Sequence, residues 1–236
     1  AVRKYRYRAM MSPSVMTIGK MYKFIWYQGE SNLNNPQVYK RLFPAMVRSW
    51  RKEWNQGEFP FYYVQIAPYD YGRKNADKTE AAEIRQVQLE CLKEIPNAGM
   101  VVTADIGNRT CVHPSDKESV GKRLALWALA KTYQRSGTPY SGPLYKSFTI
   151  DKEKIIVEFD YAEMGMTSYD REIVGFEIAG KDGIYYPAKA VLFDNKTKVM
   201  LTSDQVPEPV GVKYGFRNYQ PLNLFSTFSQ TPESTT

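Results

Sequence analysis

The chain of 236 residues is poor in the side chains that usually make metal and nucleophile sites, with one histidine and two cysteines. Two cysteines exclude a disulfide framework, and a single possible bridge between Cys91 and Cys111 says little about redox compartment. No apolar run approaches the length of a membrane span, so no membrane partner is expected. The formal net charge is +7, but its positive residues are dispersed. The densest cluster, Arg3-Lys4-Tyr5-Arg6-Tyr7-Arg8, reads as a solvated segment or subunit surface. With no long basic run and no zinc-finger spacing, nucleic acid is not an expected partner. A moderate positive field instead favours small acidic substrates. Internal repeats and the Gly-x-Ser-x-Gly elbow are also missing. Position 1 is Ala, with no initiator Met and no signal-peptide pattern, so the sequence reads as a mature or truncated product and leaves localisation open.

Aromatic residues are plentiful, above all 18 tyrosines. They offer rigid, sugar-sized contact surfaces but serve equally well in β-rich packing. Up to about residue 140, apolar runs alternate with helical patterns. Phe24-Ile25-Trp26-Tyr27 reads as a strand opening into the polar loop Gln28-Gly29-Glu30-Ser31-Asn32. Pro36 suits a first helical turn, and Val38, Leu42, Met46, Val47, Trp50 and Trp54 continue at helical spacing. At that spacing Trp50 and Trp54 belong to a core rather than to a sugar platform. A buried strand follows at 59–67, then a helix with the stripe Ala81, Ile84, Val87, Cys91, Leu92 and Ile95, stopped by Pro96-Asn97. The next strand is expected at 99–106. Ser115 and Glu118 match a capping box for a third helix running to about Tyr133. Strands separated by helices predict a parallel sheet with helices packed on it.

After Ser141-Gly142-Pro143 the pattern becomes strand-rich, with strands at 147–150 and 155–159 flanking a hairpin signal at Asp151-Lys152-Glu153-Lys154. Further strands are expected at 174–178, 185–193, 199–202 and 210–214. Together they read as a small antiparallel β lobe, followed by a frayed Ser/Thr-rich tail.

Two strand ends concentrate polar groups, 28–32 and 105–113. In a parallel sheet both leave from one edge, where open α/β sheets keep their active sites. His113 is the only imidazole, and histidine is the side chain whose ordinary pKa lies near neutrality. An imidazole facing amide and carboxyl groups suits acyl transfer: the ring takes a proton from a hydroxyl nucleophile, and amide donors hold the developing oxyanion. No metal-ligand spacing accompanies His113, so no metal is expected.

These residues resemble a known family. Trp26-Tyr27-Gln28-Gly29-Glu30-Ser31-Asn32 with His113-Pro114 looks like the sialate O-acetylesterase branch of the SGNH hydrolases. Supporting matches include Phe59-Pro60-Phe61-Tyr62, Val64-Gln65-Ile66-Ala67-Pro68, Arg85 with Gln88, Gly121-Lys122-Arg123-Leu124-Ala125-Leu126-Trp127, and Arg217-Asn218-Tyr219. The resemblance runs from about Ala9 to Phe225. It implies an SGNH-hydrolase-like parallel sheet flanked by helices. The organisation would be a partial α/β hydrolase domain at 1–143, a β-rich C-terminal lobe at 144–226 and a flexible tail at 227–236. It implies a serine esterase, without a cofactor, that removes acetyl esters from sialic acid or a related sugar. By that resemblance His113 is the general base, and Gln28, Gly29, Glu30 and Asn32 shape the oxyanion and substrate pocket, with Arg85 and Gln88 helping to line it. A periplasmic or secreted location is likewise implied by the resemblance.

Two departures from the family pattern stand out. The nucleophile of the family lies in a Gly-Gln-Ser-Asn segment, and none precedes Trp26. The expectation is that an N-terminal segment or second subunit carries it, which leaves open whether this chain alone is active. Ser31 is the lesser candidate, since Gly29-Glu30-Ser31-Asn32 only superficially repeats that segment. Cys111 ranks below it, having only His113 nearby to lower its pKa. The family often places an aspartate two or three residues before the histidine, where this chain has Cys111 and Thr110. Orientation of His113 then falls to a backbone carbonyl, to Asp105 or to another acid. Acetylated xylan or another polysaccharide is an alternative substrate, and a non-catalytic carbohydrate-binding or assembly fragment is a further alternative.

Overall fold

A computed structural model describes residues 23–72 and 74–227. The basic cluster at 3–8 and the tail at 228–236 lie outside the described residues. Three short strands, β1 (Phe24–Tyr27), β2 (Phe61–Val64) and β3 (Ala98–Val101), form a parallel sheet in the order β1-β2-β3. The register is unbroken and sets Tyr27, Val64 and Val101 side by side in the last row. The apolar runs at 59–67 and 99–106 predict longer strands than form. Beyond Val64 one more backbone bond forms, from the Gln65 N–H to the Val101 carbonyl at 2.9 Å, and side chains then take over: the Gln88 side-chain oxygen accepts the Ile66 N–H at 2.9 Å, and the Thr103 hydroxyl donates to the Gln65 carbonyl at 2.8 Å.

Alternation along β2 divides the core into two layers. Phe61 and Tyr63 point toward α1 (Pro36–Trp54) and α2 (Glu80–Glu90), meeting Phe43, Val47 and Ile84. Tyr62 and Val64 point the other way, toward Val120, Leu124 and Trp127 of α3 (Lys117–Trp127). The bounds of α1 agree with its sequence pattern, with Pro36 in the first turn and a left-handed Asn55 closing the end. Of the expected stripe, Val47 is buried and Met46, Trp50 and Trp54 pack against the core, and only the first two positions are misplaced. Tyr39, Phe43, Val47 and Arg51 are buried, whereas Val38 and Leu42 are 40% and 55% exposed. The Phe43 ring packs edge-on against Phe61 and Tyr63, and that aromatic contact fixes the rotation of the helix. Arg51 is buried with its guanidinium donating to the carbonyls of Phe59 and Pro96, both at 2.8 Å, so it staples the connections into β2 and β3. Trp50 packs on Phe24 and Trp26, a core role as its spacing implies.

The capping box at Ser115 and Glu118 does not form. Asp116 is the N-cap, accepting the Ser119 N–H at 2.9 Å, while Glu118 pairs with Lys122 one turn on at 2.6 Å. Past Trp127 the helix widens into a π turn, Ala128–Thr132, ending beside Tyr133 as expected. Gly99 is packed under the Trp127 indole so closely that a Cβ there would overlap the ring.

From Leu144 the chain is antiparallel. The hairpin of β4 (Leu144–Asp151) and β5 (Lys154–Asp160) joins β9 (Lys189–Phe193) and β10 (Lys198–Thr202) in the order β4-β5-β10-β9. A second sheet, β11-β7-β8, contains β7 (Phe176–Ala179), β8 (Tyr185–Pro187) and β11 (Gly211–Tyr214). The strand expected at 185–193 is therefore two strands in different sheets. Pro187 has no N–H to continue the ladder, and the Ala188 N–H goes to the Phe176 carbonyl at 3.0 Å. Short strands β6 (Met166–Thr167) and β12 (Phe225–Ser226) pair separately. Thr227, expected in the tail, is bonded through its N–H to Gly165 and through its hydroxyl to Met164. Ile155, Val157, Met166, Ile178, Val199 and Leu201 fill a core between these sheets.

The two halves meet at the first turn of α2. The Asn218 side chain, 2% exposed, accepts the Ala81 N–H at 2.7 Å and donates to Glu80, while its backbone N–H bonds to Lys78. Arg217 pairs with the buried Glu177 of β7 at 2.5 Å.

The Asp116 cap gives a test of local stability. The Ser119 hydroxyl and N–H hold its carboxyl below the ordinary aspartate value. A depressed folded-state pKa contributes stability above the unfolded value, lost as pH falls through the folded one. Asp116→Ala is expected to cost about 1 kcal/mol at pH 7 by urea denaturation, and the difference from the parent should shrink as the buffer is made more acid.

Candidate active site

Because Tyr27, Val64 and Val101 end one row, the loops beginning at Gln28, Gln65 and Val102 all leave from the same edge of the sheet. The first loop is closed on itself. A 3-10 turn runs over Glu30–Asn32, the Asn32 N–H donates to the Gly29 carbonyl at 2.8 Å, and the Gln28 amide donates to the Asn32 side chain at 2.7 Å. The Gln28 carbonyl faces inward and accepts from the Tyr39 hydroxyl and the Gln88 amide, each at 3.1 Å. Gln88 is fully buried. Its other end takes the Ile66 N–H, so one side chain ties the first loop to the exit of β2. Gly29 sits against this strut. A Cβ there would lie 2.7 Å from Ile66 Cγ2 and 3.0 Å from Gln88 Nε2, which only glycine avoids.

Glu30 is half-buried and faces tyrosines. Burial, with Glu30 adding to it, raises Tyr27 to about 12, partly offset by a hydrogen bond to Thr103 at the start of the third loop. Tyr71, in the second loop, is raised by the same two causes, and its hydroxyl is buried without a hydrogen-bond partner. Carboxylate and phenols thus share one partly desolvated corner.

The third loop is built around Asn108, whose side-chain oxygen accepts the Thr110 N–H and hydroxyl and the Cys111 N–H at 2.9–3.0 Å. Gly107 lies against Pro68, and Arg109 pairs with the buried Asp70 at 3.4 Å, so the second and third loops touch. His113 is exposed, and among the described residues its imidazole has no hydrogen-bond partner. The Cys111 thiol donates to the His113 carbonyl at 3.2 Å. Both cysteines are free, which removes the bridge considered from the sequence.

Asp105 does not orient His113. Its carboxylate is held by Arg123 at 2.8 and 2.5 Å, and Arg123 also grips the Val102 carbonyl. Lys117 Nζ lies 5.5 Å from the centre of the Tyr27 ring, which brings the start of α3, four residues past His113, beside the end of β1. No hydrogen bond or ion pair among the described residues joins the His113 side chain to Gln28, Gly29, Glu30, Ser31 or Asn32. Ser31 is exposed, with no bond to any imidazole. Arg85 is a clamp: its Nη2 donates to the carbonyls of Gly215 and Arg217, and burial lowers its pKa to about 10. Tyr39 and Tyr71 went unrecognised in the sequence; the spacing Tyr39-Phe43-Val47 was the available signal for the first. Among the described residues no group of three His, Cys, Asp or Glu side chains is placed to hold a metal ion. No helix there is long and apolar enough to cross a membrane.

Helices on both faces of a parallel sheet, with polar loops gathered at its carboxyl edge, define an α/β domain of the class that works at that edge. The family model for carbohydrate esterase, sialic acid-specific acetylesterase, matches residues 2–130, and the chain belongs to that family. It is similar to the sialate O-acetylesterases of Mus musculus (27% identical) and Rattus norvegicus (31%), each aligned over 234 residues, 88% of this chain and 42% of the relative. A crystal structure of a carbohydrate acetylesterase from Xanthomonas citri superposes with a TM-score of 0.81 at 34% identity, covering 88% of this chain and 48% of that one. The chain therefore spans less than half the length of these relatives.

The strut at Gln88 is testable without an activity assay. Gln88→Leu leaves the buried Ile66 N–H unpaired and should cost about 2 kcal/mol in urea unfolding. Gly29→Ala should also destabilise, by about 1–3 kcal/mol from overpacking.

Proposed function

We propose that this chain forms part of a carbohydrate O-acetylesterase that hydrolyses acetyl esters of sialic acid by serine–histidine acyl transfer. The observation that carries the reading is membership of the acetylesterase family combined with a fixed polar loop, 28–32, at the carboxyl edge of the sheet. In this reading a serine hydroxyl attacks the acetyl carbonyl while His113 accepts its proton. The oxyanion is held by donors of the 28–32 loop, the sugar hydroxyl leaves with the proton returned by His113, and water then releases acetate from the acetyl-enzyme by the same route. Pre-fixing the loop through Gln88 and Tyr39 supports this role, since donors already in place need no reorganisation during reaction. Ser31 is exposed and unlinked to His113, which favours a serine supplied by a further segment or subunit.

The neighbour from Xanthomonas citri carries only the broader description of carbohydrate acetylesterase. That favours keeping an acetylated polysaccharide such as xylan as a second substrate class.

The test is acetate release from O-acetylated sialic acid and from acetylated xylan, using the protein with any segment or subunit that co-purifies. His113→Asn should lower the rate on the preferred ester by about 100-fold or more. Equal rates for parent and variant would remove His113 from the chemistry, and the ratio between the two esters decides the sugar.

A further inference from the structure

A cavity of about 660 Å³ lies between α2 and α3 on one side and the antiparallel sheets on the other. That size falls within the range of small-molecule sites. Trp127, Tyr140, Phe148, Phe159, Phe176 and Tyr214 supply much of its wall. Neither His113 nor any residue of the 28–32 loop lines it, although Gln65, Val102 and Asp105, from the second and third loops, do.

The charged residues on its wall are unbalanced: Arg85, Lys122, Arg123 and Lys213 against one acid, Asp105. Arg123 is neutralised by Asp105, and Lys122 by Glu118. Arg85 and Lys213 have no carboxylate within ion-pair distance among the described residues. Arg85 is 8% exposed, and its Nη1 is buried with no hydrogen-bond partner. Proteins rarely leave a buried cation without a counter-charge, because desolvation is not repaid. Lys213 Nζ sits over the rings of Tyr185 and Phe216, at 3.8 and 5.1 Å from their centres. Arg85 grips the carbonyl of Gly215, two residues past Lys213, so both cations belong to the wall around β11.

We propose that this cavity binds an amphipathic organic anion, with its charged group at Arg85 and Lys213 and its apolar or aromatic body against the ring-lined wall. The charge left over on the wall asks for an anion, and the aromatic lining asks for an apolar body. A neutral sugar would stack on the rings but leave the charge unanswered.

The probe is 8-anilinonaphthalene-1-sulfonate, which joins a sulfonate to an aromatic body. Its control is N-phenyl-1-naphthylamine, which has the same rings without the charge. Fluorescence titration of the folded chain should show saturable binding of the anion at one site, about tenfold tighter than the neutral control. Lys213→Met should weaken the anion about tenfold and leave the neutral probe unchanged. Leu126→Trp, which fills the cavity from α3, should abolish both. Circular dichroism and melting curves confirm that the variants are folded. Arg85→Met serves as a second charge deletion if its melt remains cooperative. Non-saturating fluorescence, equal binding of the two probes, or an unchanged anion affinity in Lys213→Met would each overturn the proposal. Since no ester is cleaved in this experiment, its outcome is independent of the acetylesterase reading.

Discussion

The in-register parallel pairing of three four-residue strands is the constraint on which the rest of the molecule depends. With Tyr27, Val64 and Val101 in one row, the three loops that follow have no choice but to share an edge. The same pairing gives β2 two buried faces and so requires a helical layer on each side. Phe61 and Tyr63 commit to α1 and α2, and Tyr62 and Val64 to α3. The close approach of Trp127 to Gly99 then sets the depth at which α3 sits on the sheet. Strands this short contribute few ladder hydrogen bonds, so the helices and the side-chain bonds at the strand exits carry much of the cohesion.

Those side-chain bonds share a pattern. Gln88, Arg51, Arg85 and Asn218 are buried polar residues, and each reaches backbone groups of a segment distant in sequence. A bond from a buried side chain to a loop backbone fixes the loop's position as well as contributing energy, because the backbone group would otherwise be left unpaired. Gln88 does this for the polar turn after β1, and Arg85 and Asn218 do it for the junction with the antiparallel half. The candidate site is therefore held by directional contacts to α2 and not by apolar packing alone.

Much of the fold could be read from periodicity. Pro36 and the spacing through Trp54 give α1 its observed bounds, and the Asp151–Lys154 hairpin lies between β4 and β5. What failed depended on tertiary register. In the first half of α1 the buried positions are Tyr39 and Phe43 in place of Val38 and Leu42, since the fit of Phe43 against Phe61 and Tyr63 outranks the tally of aliphatic side chains in choosing a face. The 185–193 run hid a change of sheet at Pro187. In the site, the two polar loops at one edge were legible from strand–helix alternation. The roles of Arg85 and Gln88 as clamp and strut, and the commitment of Asp105 to Arg123, were not, because no local pattern encodes which distant carbonyl or cation a side chain will meet.

The two cysteines differ in environment in a way that has practical value. Burial raises the thiol of Cys91 to about 12, and its one bond is a long one to the Lys40 carbonyl, so it stays inert toward alkylating reagents near neutral pH. Cys111 is exposed, two residues from His113. Within this sequence a maleimide dye or spin label thus has a single attachment point, at the rim of the third loop, from which the motion of that loop can be followed by spectroscopy.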